Sequence, residues 1–400
     1  MLETDVLIIG GGLAGATLML ALAGLGVRSQ LIEVNPISNR EPTDFDARTL
    51  ALAPASVRLL QMLQVWPLLE AEASSILSVH VSEQHRFGQL EMQGTAETPL
   101  GHVVEMQQIN QALNQLLPED QLIAPATVQA LDPIKGEVTF LRAGRQEILS
   151  ARLIVAADGT DSTVRRLCHL QAQVKAYEQL AVVANIGLAR PHCQKAYERF
   201  TPSGPLALLP MSHQRSALVW ALEPKEAEQM LARSERDFLK ALQRAFGYRL
   251  GRFVKAGKRV IYPLKQVLMP KQVLGSVVFV GNAAHTLHPV AGQGFNLGLR
   301  DVAMLAQCIA EYGLDSNMLV EYQRLRKQDT AVITYLTDGL IAVYANRLPG
   351  VSVLRGAGLL ALEVMSPLQQ VLTRYTQGFG GVSPDLICGI PLRSRHDLVV

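Results

Sequence analysis

The sequence DVLIIGGGLAGATLMLALAGLGVRSQLIEVN, residues 5–35, decides the fold of this chain. Its apolar pattern predicts a buried strand at Val6–Ile9, a tight turn, a helix, and a second strand at Ser29–Val34. Across the turn, Gly10, Gly12 and Gly15 match the spacing G-x-G-x-x-G. A strand, a glycine turn and a helix in this order predict the beginning of a doubly wound α/β domain.

The three glycines and one acid predict a nucleotide site. The first glycine allows the tight turn, the second lets the backbone approach a pyrophosphate, and the third lets helix and strand pack closely. Free N–H groups at the helix N-terminus then face the phosphates. Glu33 follows Gly15 by eighteen residues, where a carboxylate can accept hydrogen bonds from a ribose diol. The motif predicts an ADP moiety and does not choose between NAD and FAD.

Composition limits the classes of function. The chain has 400 residues, enough for two domains or for one large domain with insertions, and 48% of them are apolar. The net charge is only +2, so nucleic acid is not an expected partner. The four cysteines form no C-x-x-C pair, which argues against a metal cluster or a disulfide framework and fits a reducing cytoplasm. Neither G-x-S-x-G, H-E-x-x-H nor a P-loop occurs.

Two stretches resemble a membrane span and a second nucleotide-binding motif. Residues 6–27 are apolar enough to resemble a membrane span, but six glycines interrupt them, and a strand, turn and helix explain them better. GAGLLA, residues 356–361, formally matches G-x-G-x-x-A, yet no acid-tipped strand follows at the required distance. We expect a closely packed helical segment there and no second nucleotide site.

A second strand and polar turn lie in ARLIVAADGTDSTVRRLC, residues 151–168. The pattern predicts a strand at Leu153–Ala157, a turn at Asp158-Gly159 and a helix at Ser162–Leu167. Ser162 and Arg165 are spaced to bond back onto the turn or onto its ligand. Asp158 is therefore a candidate cofactor-binding residue.

A second glycine-rich loop lies in VGNAAHTLHPVAGQGFNLGLRD, residues 280–301. A strand at Val277–Val280 is predicted to enter it, and a helix is predicted to begin near Asn296, after Gly292 and Gly294. Two such loops would hold opposite ends of one long cofactor. His285 and His288 have metal-ligand spacing, but no nearby acid or third histidine completes a site, so no metal is expected.

Alternating patches outside the glycine loops predict antiparallel strands at residues 78–100 and 177–268. Inserted into the doubly wound domain, they would form a substrate domain with a pocket at the junction. Four residues could line that pocket, although each is individually more expected in the core: Phe200, Leu206, Met211 and Trp220. The predicted division is an FAD-binding domain at 1–77, 101–176 and 269–345, a substrate domain at 78–100 and 177–268, and a helical segment at 346–400.

The three glycine and aspartate motifs, in this order, resemble the fingerprints of the group A flavoprotein aromatic hydroxylases, the para-hydroxybenzoate hydroxylase fold. Locally the chain is similar to the ubiquinone-biosynthesis branch of that family, through FDARTLALAP (45–54), YERFTPSGPLALLPM (197–211), the second glycine loop, and DGL beginning at Asp338. The resemblance implies a Rossmann-like FAD-binding domain with an inserted antiparallel β-sheet domain.

The resemblance also implies roles for single residues. Arg48 would lie beside the flavin and Gln107 near the FAD phosphates, where relatives often have Arg. Asn282 replaces the family's usual Asp, which bonds the ribityl chain, and an amide can do the same without the negative charge. Gly294 and Asn296 would contact the cofactor.

The second loop would carry the catalytic residues His288, Pro289 and Gly292. The positive end of the helix that follows them would favour an anionic reduced flavin.

The chemistry that the resemblance implies is hydroxylation of a 2-polyprenyl-6-methoxyphenol to the 1,4-benzoquinol. NAD(P)H would reduce FAD, and O2 would add to give a C4a-hydroperoxide that transfers one oxygen atom to the electron-rich ring. Three residues are candidates for the group that deprotonates the phenol: Tyr177, Arg199 and His288.

Alternatives stay open at this point. The enzyme could hydroxylate a neighbouring ring position or reduce prenyl double bonds on the same fold, and a flavin-bound scaffold is the non-enzyme alternative. Residues 346–379 are rich in Leu, Val and Met, so they could contact an anionic membrane surface, bind proteins of a ubiquinone-biosynthesis complex, or cover the protein's own core. We expect a cytoplasmic protein, with peripheral attachment to the inner face of the membrane as an option.

Overall fold

A computed structural model describes residues 2–36, 45–86, 88–289, 292–345 and 373–393. These residues form sheets of eight, nine and three strands. The strands, in chain order, are β1 (Leu2–Ile9), β2 (Ser29–Ile32), β3 (Thr49–Leu52), β4 (Ser74–Ile76), β5 (Ser78–Glu83), β6 (Gln89–Gln93), β7 (Gly101–Glu105), β8 (Leu122–Ile123), β9 (Ala126–Asp132), β10 (Glu137–Arg142), β11 (Arg145–Ala156), β12 (Gln173–Leu188), β13 (Lys195–Thr201), β14 (Gly204–Met211), β15 (Arg215–Leu222), β16 (Phe253–Ala256), β17 (Val260–Leu268), β18 (Val273–Leu274), β19 (Val277–Phe279) and β20 (His285–Thr286).

Helices connect and cover the sheets. They are α1 (Leu13–Ala23), α2 (Pro54–Met62), α3 (Met106–Leu116), α4 (Thr163–Leu167), α5 (Pro224–Ala232), α6 (Glu235–Phe246), α7 (Gln293–Tyr312), α8 (Ser316–Ala345) and α9 (Asp385–Cys388), with 3₁₀ turns at Trp66–Leu68, Glu119–Gln121 and Gly281–Ala283. No described helix combines the length and the apolar composition that a membrane span needs.

The first sheet has the order β18-β19-β11-β1-β2-β8, extended by the β9–β10 hairpin on β11. Strands β19, β11, β1, β2 and β8 run parallel, so their carboxyl ends meet at one edge. The predicted strand at the N-terminus is confirmed but begins earlier, at Leu2. The second strand ends at Ile32, two residues before the predicted end, because Val34 points into solvent and is 57% exposed.

The second sheet has the order β20-β17-β12-β15-β14-β13-β5-β6, with β16 beside β12. Its strands pair antiparallel except β5 and β13, which run parallel, so the sheet is mixed where the sequence predicted an antiparallel one. The parallel pair arises because β5 comes from an earlier excursion of the chain and not from a hairpin with β13. How the chain divides into domains stays a prediction.

The two faces of the second sheet have different neighbours. On one face, α5 and α6 cover a core that contains Leu206, Leu208, Trp220 and Phe238. On the other face, a smaller cluster with Ala196 and Ala217 packs toward β4 and β7 of the three-stranded sheet β3-β7-β4. The alternation of side chains along a strand therefore decides which residues can meet a ligand between the sheets.

The described C-terminal residues pack on helices α2 and α7. Gln377 accepts a hydrogen bond from the backbone of Ala55, and the backbone of Asp385 donates to Gln307 on α7. Residues 346–372, which include the GAGLLA stretch and most of the apolar segment, lie outside the described residues.

A buried ion network joins α7, α8 and the loop after β19. The Asp301 carboxylate accepts from the backbone N–H of Gly281 at 2.8 Å and from Arg326 Nε at 2.6 Å. Arg326 also pairs with Asp329, which accepts from Arg300 at 2.5 Å. Burial alone would raise the pKa of the Asp301 carboxyl, but His285 and Arg326 outweigh it and hold that pKa below its usual range.

Substitution Asp301→Asn tests this network. The change leaves the fully buried Arg326 without its main counter-charge, so we expect the free energy of unfolding to fall by about 3–5 kcal/mol, the usual cost of breaking a buried pair. Urea unfolding followed by circular dichroism measures it. The same change at Asp237, whose pair with Lys240 lies at the surface, should cost less than about 1 kcal/mol. Equal losses for both variants would contradict the role assigned to Asp301.

Candidate active site

The first glycine loop has the geometry that its spacing predicts. Gly10 has φ +108°, and a Cβ there would lie 2.5 Å from the carbonyl oxygen of Ala157. A Cβ on Gly15 would lie 2.0 Å from the carbonyl oxygen of Gly10, which confirms the close packing of helix on strand. A Cβ on Gly12 would meet no atom within 4 Å. The loop therefore presents bare backbone at Gly12, where a phosphate can approach.

Glu33 lies at the same loop. Its Oε2 accepts from the backbone N–H of Gly11 at 2.7 Å, and its Oε1 accepts from the backbone N–H of Asn35 at 2.9 Å. The carboxylate is thus held beside the glycine turn by backbone donors on both sides. Its contact with a ribose stays a prediction.

The Asp158-Gly159 turn packs directly on the first loop. Asp158 Oδ2 accepts from the backbone of Val164 at 3.0 Å, and Ser162 caps α4 by accepting from the backbone of Arg165. The Arg165 guanidinium donates to the carbonyl of Thr160 at 2.6 Å. The expected bonds back onto the turn are therefore confirmed. The other oxygen of Asp158, Oδ1, is buried and has no hydrogen-bond partner among the described residues.

The second glycine loop begins at the edge where the parallel strands end. Gly281 has φ +57° and lies against α1, since a Cβ there would be 3.2 Å from Ala14 Cβ. Helix α7 begins at Gln293, three residues before the predicted start, because Gly292 adopts φ +61° and ends the loop there. A Cβ on Gly294 would meet no atom within 4 Å. The two loops thus flank one edge of the sheet.

The Asn296 side chain holds three segments together. Its Oδ1 accepts from the backbone of Ala53 and from Ser56 Oγ, and its Nδ2 donates to the carbonyls of Ala51 and Gly292. These four bonds use the full capacity of a side-chain amide. Any contact of Asn296 with a cofactor must therefore come from its backbone.

The two histidines have different surroundings. His285 Nε2 lies 2.6 Å from Asp301 Oδ2, so the expectation that no acid lies near was wrong in space although correct along the chain. Asp301 is already held by Arg326 and by the backbone of Gly281. Within the described residues no three His, Cys, Asp or Glu side chains gather as a metal site.

His288 lies under Pro289 in a buried polar cluster. Its ring meets the Tyr177 ring edge-on at 4.9 Å, and Tyr177 Oη donates to Asp338 Oδ1 at 2.8 Å. Burial lowers the pKa of His288 to about 4, so the ring is neutral near pH 7. Burial, followed by the bond to Asp338, raises the pKa of Tyr177 above its ordinary value. Both side chains hold the loop in place and neither faces the cavity described below.

The other expected cofactor contacts lie at exposed or half-buried positions. Asn282 is exposed in the 3₁₀ turn after β19. Arg48 is exposed and stacks on the Tyr262 ring, with its guanidinium carbon 5.5 Å from the ring centre. Gln107 lies at the beginning of α3, and its Oε1 is buried without a hydrogen-bond partner in the described structure. Contact of these three residues with a cofactor stays a prediction.

An apolar cavity of about 170 Å³ lies where the second sheet, the three-stranded sheet and the second glycine loop meet. A cavity of that size holds one aromatic ring, since about 150 Å³ accommodates benzene. Its walls are Ala51, Leu52, Ala53, Ile76, Val79, Met92, Leu100, Gly101, Ala196, Tyr197, Glu198, Ala207, Leu209, Val219, Pro289, Gly292, Gln293, Asn296, Thr373, Thr376 and Gln377. Pro289 and Gly292 therefore share one cavity, as their predicted catalytic role requires.

Glu198 is the carboxylate in this wall. It lies on β13 between Ala196 and Phe200, opposite Ala207 of β14 and Val81 of β5. Burial raises the pKa of its carboxyl to about 7. This residue lies within the motif YERFTPSGPLALLPM and was not among the residues predicted for the site. The available signal was the strand alternation, which places a charged residue on the same face as Ala196.

The four residues predicted from the sequence to line the pocket lie outside this cavity. Leu206 and Trp220 belong to the core under α5 and α6, and Met211 packs with Ile76 at the edge of the cavity wall. Phe200 borders a separate groove beside Tyr177. Arg199, a candidate base, points to the opposite face of β13 and donates to Ser82 and to the carbonyl of Ala245.

The residues at the parallel-strand edge fit FAD. Gly12 offers bare backbone for a pyrophosphate, and the buried unpartnered oxygens of Asp158 and Gln107 suit hydrogen-bond donors of a bound cofactor. Gly292 and Gly294 leave room for a flat ring beside the beginning of α7, close to the apolar cavity.

Comparison with known proteins gives the same result. Residues 3–333 match the family model described as the FAD binding domain. The chain is 37% identical to the ubiquinone hydroxylase UbiL of Rhodospirillum rubrum, over 97% of this chain and 93% of that protein. It is 30% identical to the 3-demethoxyubiquinol 3-hydroxylase of Escherichia coli, over 94% of this chain and 98% of that protein.

Among solved structures, p-nitrophenol 4-monooxygenase PnpA of Pseudomonas putida has a similar fold. The TM-score is 0.77 at 18% identity, covering 95% of this chain and 99% of that one. At this identity the likeness shows the fold alone, which is the para-hydroxybenzoate hydroxylase-like fold expected from the sequence.

Substitution Gly12→Val tests the first loop. The backbone of Gly12 has φ −68° and free space around its Cβ position, so the fold should tolerate the side chain while the pyrophosphate cannot approach. We expect FAD affinity to fall at least about 100-fold, the loss of a few kcal/mol of binding, with an unchanged circular dichroism spectrum.

Flavin fluorescence titration of the apoprotein measures this loss. Gly24→Val, at the other end of α1 where a Cβ also has room, is the matched control and should bind FAD normally. Normal FAD binding by the Gly12→Val protein would contradict the assignment of the phosphate site.

Proposed function

The chain belongs to the FAD binding domain family, and on that premise we propose that it is an FAD-dependent monooxygenase that hydroxylates a 2-polyprenyl-6-methoxyphenol to the 1,4-benzoquinol in ubiquinone biosynthesis. Two observations support the proposal: the relatives named ubiquinone hydroxylases, and a ring-sized apolar cavity at the second glycine loop. The cavity is the observation that carries it.

The residues that would hold FAD lie at the carboxyl edge of the parallel strands. The backbone at Gly12 would receive the pyrophosphate, Glu33 the ribose, and the turn at Asp158 the middle of the cofactor. The second loop would receive the ring. FAD reduced by NAD(P)H supplies the activation of O2, from which one oxygen atom passes to the substrate and the other leaves as water.

The cavity supplies position and dryness. Its walls are mostly apolar, so a substituted ring that enters it displaces water and contacts Ile76, Val79 and Val219. Excluding water matters because a wet site would release the activated oxygen as hydrogen peroxide. A cavity of about 170 Å³ holds the aromatic head and not a polyprenyl tail, so the tail must lie outside it.

The loop that faces the cavity is fixed from behind. Asp338 on α8 accepts from Tyr177, Lys175 and Gln266, and Tyr177 packs on His288 next to Pro289. These contacts hold the residue that precedes Pro289, which lines the cavity. Preorganised backbone at such a site needs no rearrangement when charge develops.

A phenol suits this site chemically. Its oxygen donates electron density to the ortho and para ring carbons, which makes them acceptors for an electrophilic oxygen atom. The relatives reported above carry hydroxylase or monooxygenase names, and this does not favour a prenyl reductase. The demethoxyubiquinol relative shows why the ring position must be measured, since related enzymes oxidise different carbons.

The polyprenyl tail connects the proposal to a membrane. An apolar tail partitions into the bilayer, so the enzyme would work at the cytoplasmic surface of the membrane, alone or with other proteins of ubiquinone biosynthesis. Residues 346–372, the apolar segment nearest to Thr373 in the cavity wall along the chain, would make that contact.

A product assay by mass spectrometry tests the function. The FAD-loaded protein receives NADPH, ¹⁸O2 and a 2-prenyl-6-methoxyphenol with a short tail. We expect a product that contains one labelled oxygen atom on the carbon para to the hydroxyl, because that carbon receives density from the phenol oxygen. The methyl ether of the same phenol is the matched control and should yield peroxide without product.

Three results would overturn the proposal in different ways. Labelled oxygen on another carbon would show that the enzyme hydroxylates a ring position other than the proposed one. A product heavier by two hydrogen atoms would make the protein a reductase. Peroxide as the sole product from both compounds would exclude this phenol class as the substrate.

A further inference from the structure

Glu198 has no structural partner to explain it. Its neighbours on β13 are committed elsewhere, since Lys195 pairs with Glu91 at 2.5 Å and Arg199 bonds to Ser82 and Ala245 on the opposite face. Within the described residues Glu198 makes no ion pair. A partly buried carboxylate that faces an apolar cavity without a cation costs stability, so its presence in the cavity wall calls for a functional reason.

Among the described residues that line the cavity, Glu198 is the one acidic or basic side chain. The elements packed around the cavity present Val79 from β5, Ala207 from β14, Val219 from β15 and Gln293 from α7. Tyr197 is the other titratable residue in the wall, and its ring lies in the core on the far face of the strand with Phe246. His288, behind Pro289, is neutral near pH 7. The part of the chain that the structure describes thus offers Glu198 no counter-charge in the cavity, and a ligand group can serve as its partner.

We propose that Glu198 is a catalytic residue that accepts the proton of the phenol hydroxyl during hydroxylation. This inference rests on the proposed function, because it requires a phenol in the cavity. It replaces the candidates Tyr177, Arg199 and His288, which lie behind the loop or on the other face of the sheet.

The proton balance is simple. The phenol O–H bond breaks, its electron pair stays on the phenol oxygen and flows into the ring as the new C–O bond forms, and the carboxylate becomes a carboxylic acid. The hydroxylated carbon then loses its hydrogen as a proton, which leaves with the second oxygen atom as water; the C–H electron pair restores the aromatic ring, and the acid returns its proton to the phenol oxygen. The two electrons that reduce the second oxygen atom to water come from NAD(P)H.

The electrostatics suit this exchange. Burial raises the pKa of the Glu198 carboxyl to about 7, so the group can both take and return a proton near neutral pH. Two anions cannot both persist in one apolar cavity. When a phenolate binds, the Glu198 carboxylate therefore takes up a proton from the solvent. When a neutral phenol binds beside an ionised Glu198, the phenol stays protonated until the ring is oxidised.

Substitution Glu198→Gln tests the role in turnover. The hydroxylation rate with the short-chain phenol should fall about 10²–10⁴-fold, the usual contribution of a positioned base, while NADPH oxidation continues and yields peroxide. In the unchanged enzyme the rate should rise with pH through about 7, because the base must be ionised. The variant should lose that rise. Glu228→Gln, the same change at an exposed position of α5, should keep both rate and profile.

A binding measurement separates this inference from the proposed function. The probe is 2-prenyl-6-methoxy-4-nitrophenol, added to FAD-loaded protein without reductant at about pH 8, where it is a phenolate. Calorimetry in buffers of different ionisation enthalpy should show uptake of about one proton per bound probe in the unchanged protein and none in Glu198→Gln. Equal proton uptake in both proteins would overturn the role of Glu198, even where labelled product confirms the hydroxylase.

The pH dependence of the free energy of unfolding tests whether the Glu198 carboxyl has a purely structural role. The folded pKa of about 7 lies above the ordinary 4.5, so the unchanged protein should lose stability as pH rises through this window and the Gln variant should not. That difference follows from burial alone. If it appears while rate, pH profile and proton uptake are all unchanged in Glu198→Gln, Glu198 has no part in catalysis.

Discussion

The buried pair between Asp301 and Arg326 is the constraint on which the site depends. One carboxylate accepts from the backbone where β19 ends, from His285 and from Arg326, and so it fixes the loop, α7 and α8 relative to one another. Arg326 also pairs with Asp329, and Asp329 pairs with Arg300. Arg300 in turn donates to the carbonyl of Gly380. Because breaking one member leaves an uncompensated buried charge, the arrangement is cooperative.

The position of the second loop connects the two chemical halves of the molecule. On one side, the parallel strands end in bare glycine backbone and in the Asp158 turn, a polar edge suited to phosphates and sugars. On the other side, the strands of the mixed sheet present small apolar side chains and one carboxylate. Asn296 fixes the second loop between them, because its four bonds join the beginning of α7 to Gly292 and to residues 51–56.

The charges near the cavity follow one physical rule. Ionisable side chains with a structural role have hydrogen-bond partners, as Asp338 does in Tyr177 and Lys175. Burial leaves His288 neutral, which keeps a positive charge away from the loop. Glu198 faces an apolar cavity without an ion pair among the described residues, and burial raises the pKa of its carboxyl to about 7, so the carboxyl can respond to a ligand. Such unmatched groups are the common mark of sites where protons move.

Local signals made the cofactor side predictable from sequence. The spacing of Gly10, Gly12 and Gly15 sets backbone geometry within a few residues, and the turn at Asp158 is stabilised by its own helix. The start of α7 was placed three residues late because a left-handed residue at Gly292 is not visible in composition.

Tertiary contacts made the rest of the site inaccessible to sequence. Asp301 meets residues 16 and 25 positions away along the chain, and Asn296 meets Ala53 and Ser56 from 243 and 240 positions away. The cavity exists where separate sheets meet, so no single motif contains it. In the sequence, Glu198 is a charged residue at a position where the alternation of β13 predicts an apolar side chain. This signal points to a site only when the neighbouring strands and the cavity on that face are known.

A crystal structure of the FAD-loaded protein with an unreactive 2-prenyl-6-methoxyphenol analogue tests the central claim most directly. We expect the ring in the cavity beside Pro289, with the phenol oxygen within about 2.6–3.2 Å of the Glu198 carboxylate, the reach of a hydrogen bond, and the flavin ring at Gly292 and Gly294. A phenol bound in the groove beside Tyr177 and Pro205, away from Glu198, would contradict it.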